Sequence, residues 1–490
     1  MRPTRLAVAL VLLQSLLGCA VVGPDYHLPA EAAINRPSAN AGFAGAHGAA
    51  VTLAPVPNDW WRLYDDPALE RLVQQALAAN TNVRVAAANL RRTLALRDQV
   101  DAEGGFHGAL EGAAKRAQES GEQYLLSEKL PVVNEGDAGL SVSYDLDLFG
   151  KLKRAGQAAT ADAQASQAAL DLVRVNVAAQ TVRAYVESCA ATQALSVARR
   201  QLALQTRSVD IAKRLEAAGR GRSTDVLRAQ AQADLLRANL PKFEAAHDAA
   251  LLQLAVMVGK TPREFDTSTL TCAHAPTLRQ PIPVGDGTAL LKRRPDVREA
   301  ERQLAAATAR IGVATAALYP DIVIGASGGF TGVLEDLGKA STGRWNIGPL
   351  ISWTLPDNGA RARIRGARAG TEAALAHFDG VVLDALKETE TALTRYTHDL
   401  ASRSELRAAR DAARQAAQQN RVLYQAGKTP YLASLDADRT LANTEAALAA
   451  ADRQVALDQV NLFLALGGGW QGSEANPARL SGASAAKSTS

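Results

Sequence analysis

Aromatic side chains supply only 4% of the 490 residues, although apolar residues together reach 47%. A chain so poor in rings and so rich in alanine suits close-packed helices better than a thick mixed core. Cysteine is nearly absent, with three in all. Removal of a leader would leave Cys189, inside a helical run, and Cys272, in a proline-rich connection, which is no disulfide framework. The seven histidines include no pair at metal-ligand spacing, and the isolated Cys272-x-His274 reads as ordinary connection rather than a metal site. No basic run stands out and the formal net charge is +4, so nucleic acid is not an expected partner.

What is present begins at the N-terminus. Arg2 and Arg5 precede an apolar run from Leu6 to Leu17, too short to span a bilayer and laid out as a secretory signal. Leu16-Leu17-Gly18-Cys19 resembles the bacterial lipobox. That implies cleavage after residue 18 and acylation of Cys19, with Ala20 in place of Asp implying sorting to the outer membrane. An N-terminal acyl or diacylglycerol group is the one modification expected; no cofactor or metal is.

The chain also repeats itself. "VSYDLDLFG" from Val142 lies over "ISWTLPDNG" from Ile351, "LEAAGRGRSTDVLRAQ" from Leu215 over "LYQAGKTPYLASLDAD" from Leu423, and "NVRVAAANL" from Asn82 over "DVREAERQL" from Asp296. Three ordered matches at nearly one offset argue for a duplicated unit. The expected layout is signal peptide 1–18, lipid-anchored segment 19–58, repeat 1 at 59–258, linker 259–287, repeat 2 at 288–467 and a flexible tail 468–490.

Each repeat should run helix, two strands, long helix, turn, long helix. The first helices are expected at 67–102 and 288–317, the strands near 106–118, 138–149, 320–331 and 344–355. In "LSVSYDLDL" Leu140, Val142, Tyr144, Leu146 and Leu148 face one way, and Ser141, Ser143, Asp145 and Asp147 the other. One apolar and one polar face suits a half-buried sheet or a barrel with lipid outside and water inside. From Gln157 to Ala218 there is no Gly or Pro, enough for roughly 90 Å of helix at ~1.5 Å per residue. Leu195, Ala198, Leu202, Val209 and Ala212 keep heptad spacing, as do Leu386, Leu393 and Leu400. Gln205, Glu390 and Thr397 interrupt the seams, so packing looser than a leucine zipper is expected. A soluble coiled coil leaves four alternating strands unexplained; a helical barrel that continues a strand barrel explains both.

Two catalytic look-alikes fail. Gly259-Lys260-Thr261 and Gly427-Lys428-Thr429 echo a phosphate-binding loop, but Leu254 and Val422 stand where its upstream glycine must be. Gly325-Ala326-Ser327-Gly328-Gly329 matches G-x-S-x-G, yet further strand follows instead of the helix a nucleophile elbow needs. No enzyme is expected.

The segments "GCAVVGPDYHLP", "NDWWRLYDDPALERLVQQALAAN", "YDLDLFGKLKRA" and above all "RRPDVREAERQLAAATARIGVATAALYPDI" carry a resemblance over nearly the whole mature chain. It resembles the TolC-like outer-membrane factors, in the lipoprotein (NodT-type) branch that serves resistance-nodulation-division efflux pumps. The departure is at Gly104-Gly105-Phe106, where the family usually opens its first strand on a proline. The resemblance implies an α+β membrane protein, a homotrimer whose 12-stranded outer-membrane β-barrel continues into a long α-helical periplasmic tunnel. Gly150 and Gly359 would be the strand-to-helix hinges, where a bulky residue would resist the backbone change. Trp345, Trp353, Tyr144, Phe149 and Tyr319 fit either an interfacial girdle or ordinary packing.

Its partners would be a periplasmic adaptor, an inner-membrane resistance-nodulation-division transporter and outer-membrane lipid. A type I protein secretion channel is the alternative. Carried over by alignment, Tyr424 and Asp436 fall on the family's gate tyrosine and aspartate, and Asp225 on a tip aspartate. Arg228, which the repeat sets over Asp436, is the candidate partner. These lie beside the turns at Gly219 and Gly427, at the tip of the helices. There Thr429-Pro430 reads as a cap plus first helical residue.

Overall fold

The computed structural model describes residues 21–46, 48–267, 270, 272, 274–278 and 280–468. Cys19 and the tail beyond Gly468 lie outside them. The helices are α1 (Pro67–Ala79), α2 (Thr81–Glu103), α3 (Lys151–Ala217), α4 (Ser223–Met257), α5 (Gly287–Arg293), α6 (Pro295–Ala316), α7 (Ala360–Gln425) and α8 (Tyr431–Ala465). The strands are β1 (Val51–Thr52), β2 (Phe106–Ala117), β3 (Val133–Asp145), β4 (Ile282–Pro283), β5 (Asp321–Val333) and β6 (Gly343–Ser352). The chain divides into two compact units. One holds the described residues up to Pro29 with Asn89–Gln167 and Glu299–Phe378; the other holds Ala30–Ala88, Ala168–Arg298 and the chain from Asp379 on.

The first unit is built on one antiparallel sheet in the order β2-β3-β5-β6. Its strands differ from the expected ranges chiefly at the loop ends. β3 starts at Val133 and β5 runs to Val333, so pairing continues into what reads as loop in the sequence. The end of the "YDLDLFG" run leaves the ladder: after Leu146 donates to the Ile322 carbonyl at 2.9 Å, the chain turns toward α3.

In the second unit the apolar core gathers around Trp60, which is fully buried and stacks on Phe463 of α8 with ring centroids 4.6 Å apart. Asp66 caps α1 by accepting from the amides of Ala68 and Leu69, and its other oxygen accepts from the Tyr185 hydroxyl at 2.7 Å. That accounts for the "NDWWRLYDDP" run. The helix expected over 67–102 is two helices. Asn80, buried, turns extended between them; its amide nitrogen donates to the Met257 carbonyl at 3.0 Å and its oxygen accepts from the Asn82 amide. The helix expected over 288–317 is likewise divided, at Arg294, because Pro295 disfavours helical geometry in the residue before it. Arg294 then anchors the C-terminal end of α8 through the Ala465 carbonyl at 2.9 Å, and pairs with Asp296 and Glu388.

Both Gly-Lys-Thr triplets follow helix C-termini. Gly259 and Gly427 have φ of +69° and +70°, and the next amide donates back to the carbonyl five residues earlier, Lys260 to Ala255 and Lys428 to Leu423, both at 2.9 Å. Gly219 and Gly467 end α3 and α8 in the same way. A left-handed glycine at this position is the standard helix stop, which explains why the motif recurs without a phosphate site. The reading of Thr429-Pro430 is corrected: Pro430 is the capping residue itself, α8 starts at Tyr431, and among the described residues the Thr429 hydroxyl has no hydrogen-bond partner.

The cysteine reading is also corrected. Cys189 of α3 and Cys272 of the connection form a disulfide with Cα atoms 5.3 Å apart, across a separation of 83 residues. The same connection adds β4 to β1 as a short parallel pair. By loop-closure entropy a bond over so long a loop contributes up to about 4.5 kcal/mol. We therefore expect reductant, or Cys189→Ser with Cys272→Ser, to lower the thermal unfolding midpoint of the purified protein. The bond should show as a mobility difference between reduced and non-reduced gels.

Candidate functional site

Three places within the units bear on function: the sheet, the strand-to-helix junctions and the helical turns.

Register sorts every strand residue onto one of two faces. One face carries Phe106, Leu110, Leu140, Val142, Ile324, Phe330, Trp345, Ile347 and Ile351. Leu110 is 84%, Trp345 80% and Ile347 72% exposed within the single chain. The other face carries Glu111, Lys115, Glu135, Asp137, Ser141, Ser143, Ser327, Thr331, Arg344 and Asn346. Its charges pair among themselves: Arg344 to Asp137 at 2.9 Å, with its Nε donating to Thr331 at 2.7 Å, and Lys115 to Glu135 at 3.1 Å. Ser327 lies mid-strand, its hydroxyl accepting from Asn346 at 2.9 Å, so the G-x-S-x-G stretch forms no elbow. β2 and β6 are the outer strands, and Pro349, which cannot donate to a ladder, sits on one of them.

Gly150 and Gly359 directly precede α3 and α7, with φ of +76° and +77°. That left-handed conformation is open to glycine and strained for other residues. At Gly150 there is a second constraint: a Cβ would lie 2.4 Å from the side chain of Val21. The segment from Val21 is moored here. The Val22 amide donates to the Phe149 carbonyl at 3.1 Å. Arg154, almost wholly buried, donates to the carbonyls of Val22 and Gly23 at 3.0 and 2.9 Å and pairs with Asp25 at 2.8 Å. Gly23 lies against Gly312, where a Cβ would fall 2.4 Å from the neighbouring backbone. Arg154 and Gly312 are functional candidates that the sequence reading missed, though both lie inside the runs that carry the resemblance. Of the aromatics, Phe149 stacks on Tyr319 at 4.6 Å, while Trp345 and Trp353 stay exposed.

At the turns in the second unit Tyr424 is half-buried, 5.4 Å from the ring of Tyr431. Burial pushes the Tyr424 hydroxyl above its ordinary value, with Arg220 opposing and Asp225 adding to the rise. The Tyr431 hydroxyl donates to the Ser208 carbonyl at 3.2 Å, and burial pushes it up to about 12. Asp225 and Tyr424 are therefore neighbours. Arg228 and Asp436 are both exposed, and among the described residues no hydrogen bond or ion pair joins them. The ion pair actually formed here is Arg421 to Asp438 at 2.8 Å. The alignment selected Asp436; only the helix geometry distinguishes it from Asp438, two residues on.

Among the described residues no group of His, Cys, Asp and Glu could hold a metal, and no helix is long and apolar enough to cross a membrane. The amphipathic sheet and the long helices fit what comparison with known proteins shows. The nodulation protein T of Rhizobium leguminosarum bv. viciae is 30% identical over 480 residues, spanning 96% of this chain and 94% of its own length. The outer membrane protein OprJ of Pseudomonas aeruginosa is 30% identical over 492 aligned positions, spanning 96% and 97%. The solved outer-membrane channel OprN superposes with a TM-score of 0.86 at 35% identity, covering 92% of this chain and 100% of that one. The family profile described as outer membrane efflux protein matches residues 72–260 and 288–468. With more than half the sequence so matched, the chain belongs to the outer membrane efflux protein family.

Proposed function

We propose that three copies of this chain form the outer-membrane exit duct of a tripartite efflux pump. The duct passively conducts small toxic compounds handed on by a periplasmic adaptor and an inner-membrane resistance-nodulation-division transporter. The observation that carries this reading is the sheet: apolar on one face, polar on the other, with β2 and β6 open at its edges. Four strands cannot close on themselves. In lipid an open edge leaves amides and carbonyls unpaired at several kcal/mol each. Three copies joined edge to edge give a closed barrel of twelve strands, with the apolar face on lipid and the charged face on water. The strands then pass through Gly150 and Gly359 into a helical tunnel.

The repeated order of elements supports the division into repeats at 59–258 and 288–467, joined by a linker. Acylation at Cys19 fits the mooring of Val21 and Val22 at the Gly150 junction, which would hold the lipid anchor close to the barrel base. Efflux is favoured over type I protein secretion by the lipobox and by the "RRPD" segment, whose Arg294 has a defined structural task.

In this reading the loops between β2 and β3 and between β5 and β6 face the outside. Single cysteines at Ser127 or Glu335, both exposed, should react with a membrane-impermeant maleimide in whole cells, and native mass spectrometry should give a trimer. If neither position reacts in protein folded in the outer membrane, the topology is wrong.

The closed end is placed at the turns beside Gly219 and Gly427. Three Asp436 carboxylates, exposed on each chain, would converge on the symmetry axis, with Tyr424, Asp225 and Arg228 around them. Their mutual repulsion makes such a closure easy to open by adaptor contact. Tyr424→Phe combined with Asp436→Ala should raise single-channel conductance of the purified trimer in planar bilayers. Conductance no higher than that of the parent would locate the constriction elsewhere.

A further inference from the structure

Asp458 of α8 has only 2% of its surface exposed. Its Oδ1 accepts from the Gln454 side chain one turn earlier at 2.9 Å, while the buried Oδ2 has no donor among the described residues. What stands within hydrogen-bonding reach is another acid, Asp399 of α7. Two ionised carboxylates in contact with no donor between them combine like-charge repulsion with an orphaned buried acceptor, and both are costly.

The basic groups around the pair are engaged elsewhere. Arg183 of α3 donates to Asn461, Arg294 is bound to Asp296 and Glu388, Lys387 pairs with Asp384, and Arg403 pairs with Asp452 at 3.9 Å. Arg395, one turn from Asp399 on α7, acts on Asp458 only as its weakest influence. Next along α8, the Gln459 amide turns to the Tyr396 hydroxyl at 3.5 Å.

We propose that Asp399 and Asp458 share a single proton, and that this proton is a pH-sensitive clip between α7 and α8. As an acid–carboxylate pair the two groups make one charge-assisted O–H···O bond that satisfies Oδ2 and ties the helices together. Loss of the proton replaces that bond with repulsion. A cavity of about 640 Å³ lined by Asp458, Arg395, Asn461 and Arg183 gives the proton a route to solvent. Burial first, then the contact with Asp399, raises Asp458 to about 6. Because this lies above the unfolded value, the stabilisation is complete in acid and is lost as pH rises through about 6. The clip does not depend on the duct reading and can be tested on the purified full-length protein.

Hydrogen exchange followed by mass spectrometry from pH 5 to pH 8, corrected for intrinsic rates, reads it directly. Protection across 452–461 should fall about 10-fold in the wild type, the part of the linkage still present at pH 5. Asp458→Asn, whose amide donates to Asp399 at every pH, should keep its protection throughout. The infrared band of a protonated carboxyl should disappear near pH 6 in the wild type and be missing from the variant. Parallel pH profiles for wild type and variant would overturn the proposal. If Asp458→Asn does not fold, Asp399→Asn serves in the same comparison. The infrared titration of the wild type decides alone, since no carboxyl titrating near pH 6 also overturns the proposal.

Discussion

The hydrogen-bonding demand of a strand edge is the constraint on which the rest depends. Within one chain β3 and β5 have neighbours on both sides, whereas β2 and β6 each have one. An edge in water can be solvated, but an edge in lipid must be paired or closed. The two-faced character of the sheet excludes burial on both sides, because its polar face carries ion pairs, Lys115–Glu135 and Asp137–Arg344. Such charges are stable beside water and costly against lipid. In the proposed trimer, edge pairing between copies would leave no strand-edge backbone group unmet.

That same demand explains why the strands can lead into helices with so little connection. A long loop at the sheet's end would bring further backbone groups needing partners. The connections are short, residues 146–150 and 353–359, and each ends on a left-handed glycine, Gly150 or Gly359 (joined at the second junction by Asn358, φ +42°), after which the helical ladder takes over. At the first junction the Asp147 carboxylate receives the Lys153 amide at 2.8 Å, so one of the helix's unpaired N-terminal donors is met locally. Glycine is needed again where the helices stop, at Gly219, Gly259, Gly427 and Gly467. Backbone geometry, not side-chain chemistry, governs these positions.

The order of the long elements, the amphipathic strands and the turn glycines Gly219 and Gly427 were legible in the sequence because each is written in a local period or a single residue type. The misses are of a different kind. Cys189 and Cys272 are joined across 83 residues, one from a helix and one from a connection, and nothing local pairs them. Asn80 reads as a tolerable helix residue until the Met257 carbonyl, distant in sequence, is seen to hold its amide. Glu390, read as a break in a heptad seam, accepts from the amides of Ala44 and Gly45 at 2.7 and 2.9 Å and so tethers the N-terminal segment. Pattern predicts which face is apolar; it cannot predict which distant backbone group a polar side chain will satisfy. For the helical turns, alignment nominated Asp436 and Tyr424, while the Tyr424–Tyr431 contact and the Arg421–Asp438 pair emerged only from the fold.

Those polar interruptions also define what kind of helix packing this is. In a leucine zipper the seam is held by interlocked apolar side chains, and parting it exposes a large apolar area. Toward the turns small clusters rich in alanine fill the seam, Ala229 and Ala233 with Val209, and Ala413 and Ala417 with Leu441. Polar side chains reach across it to main-chain oxygens: Gln205 donates to the Ala229 carbonyl and Gln201 to that of Ala442, both at 3.0 Å. Each such bond contributes about 1 kcal/mol net because water can replace it when the helices part. Alanine seams expose little apolar surface on opening, so the same parting carries a small hydrophobic penalty. A helix pair built this way keeps its register through specific polar contacts yet separates at modest cost. Cooperation among many weak contacts can therefore hold these helices in place without making their arrangement rigid.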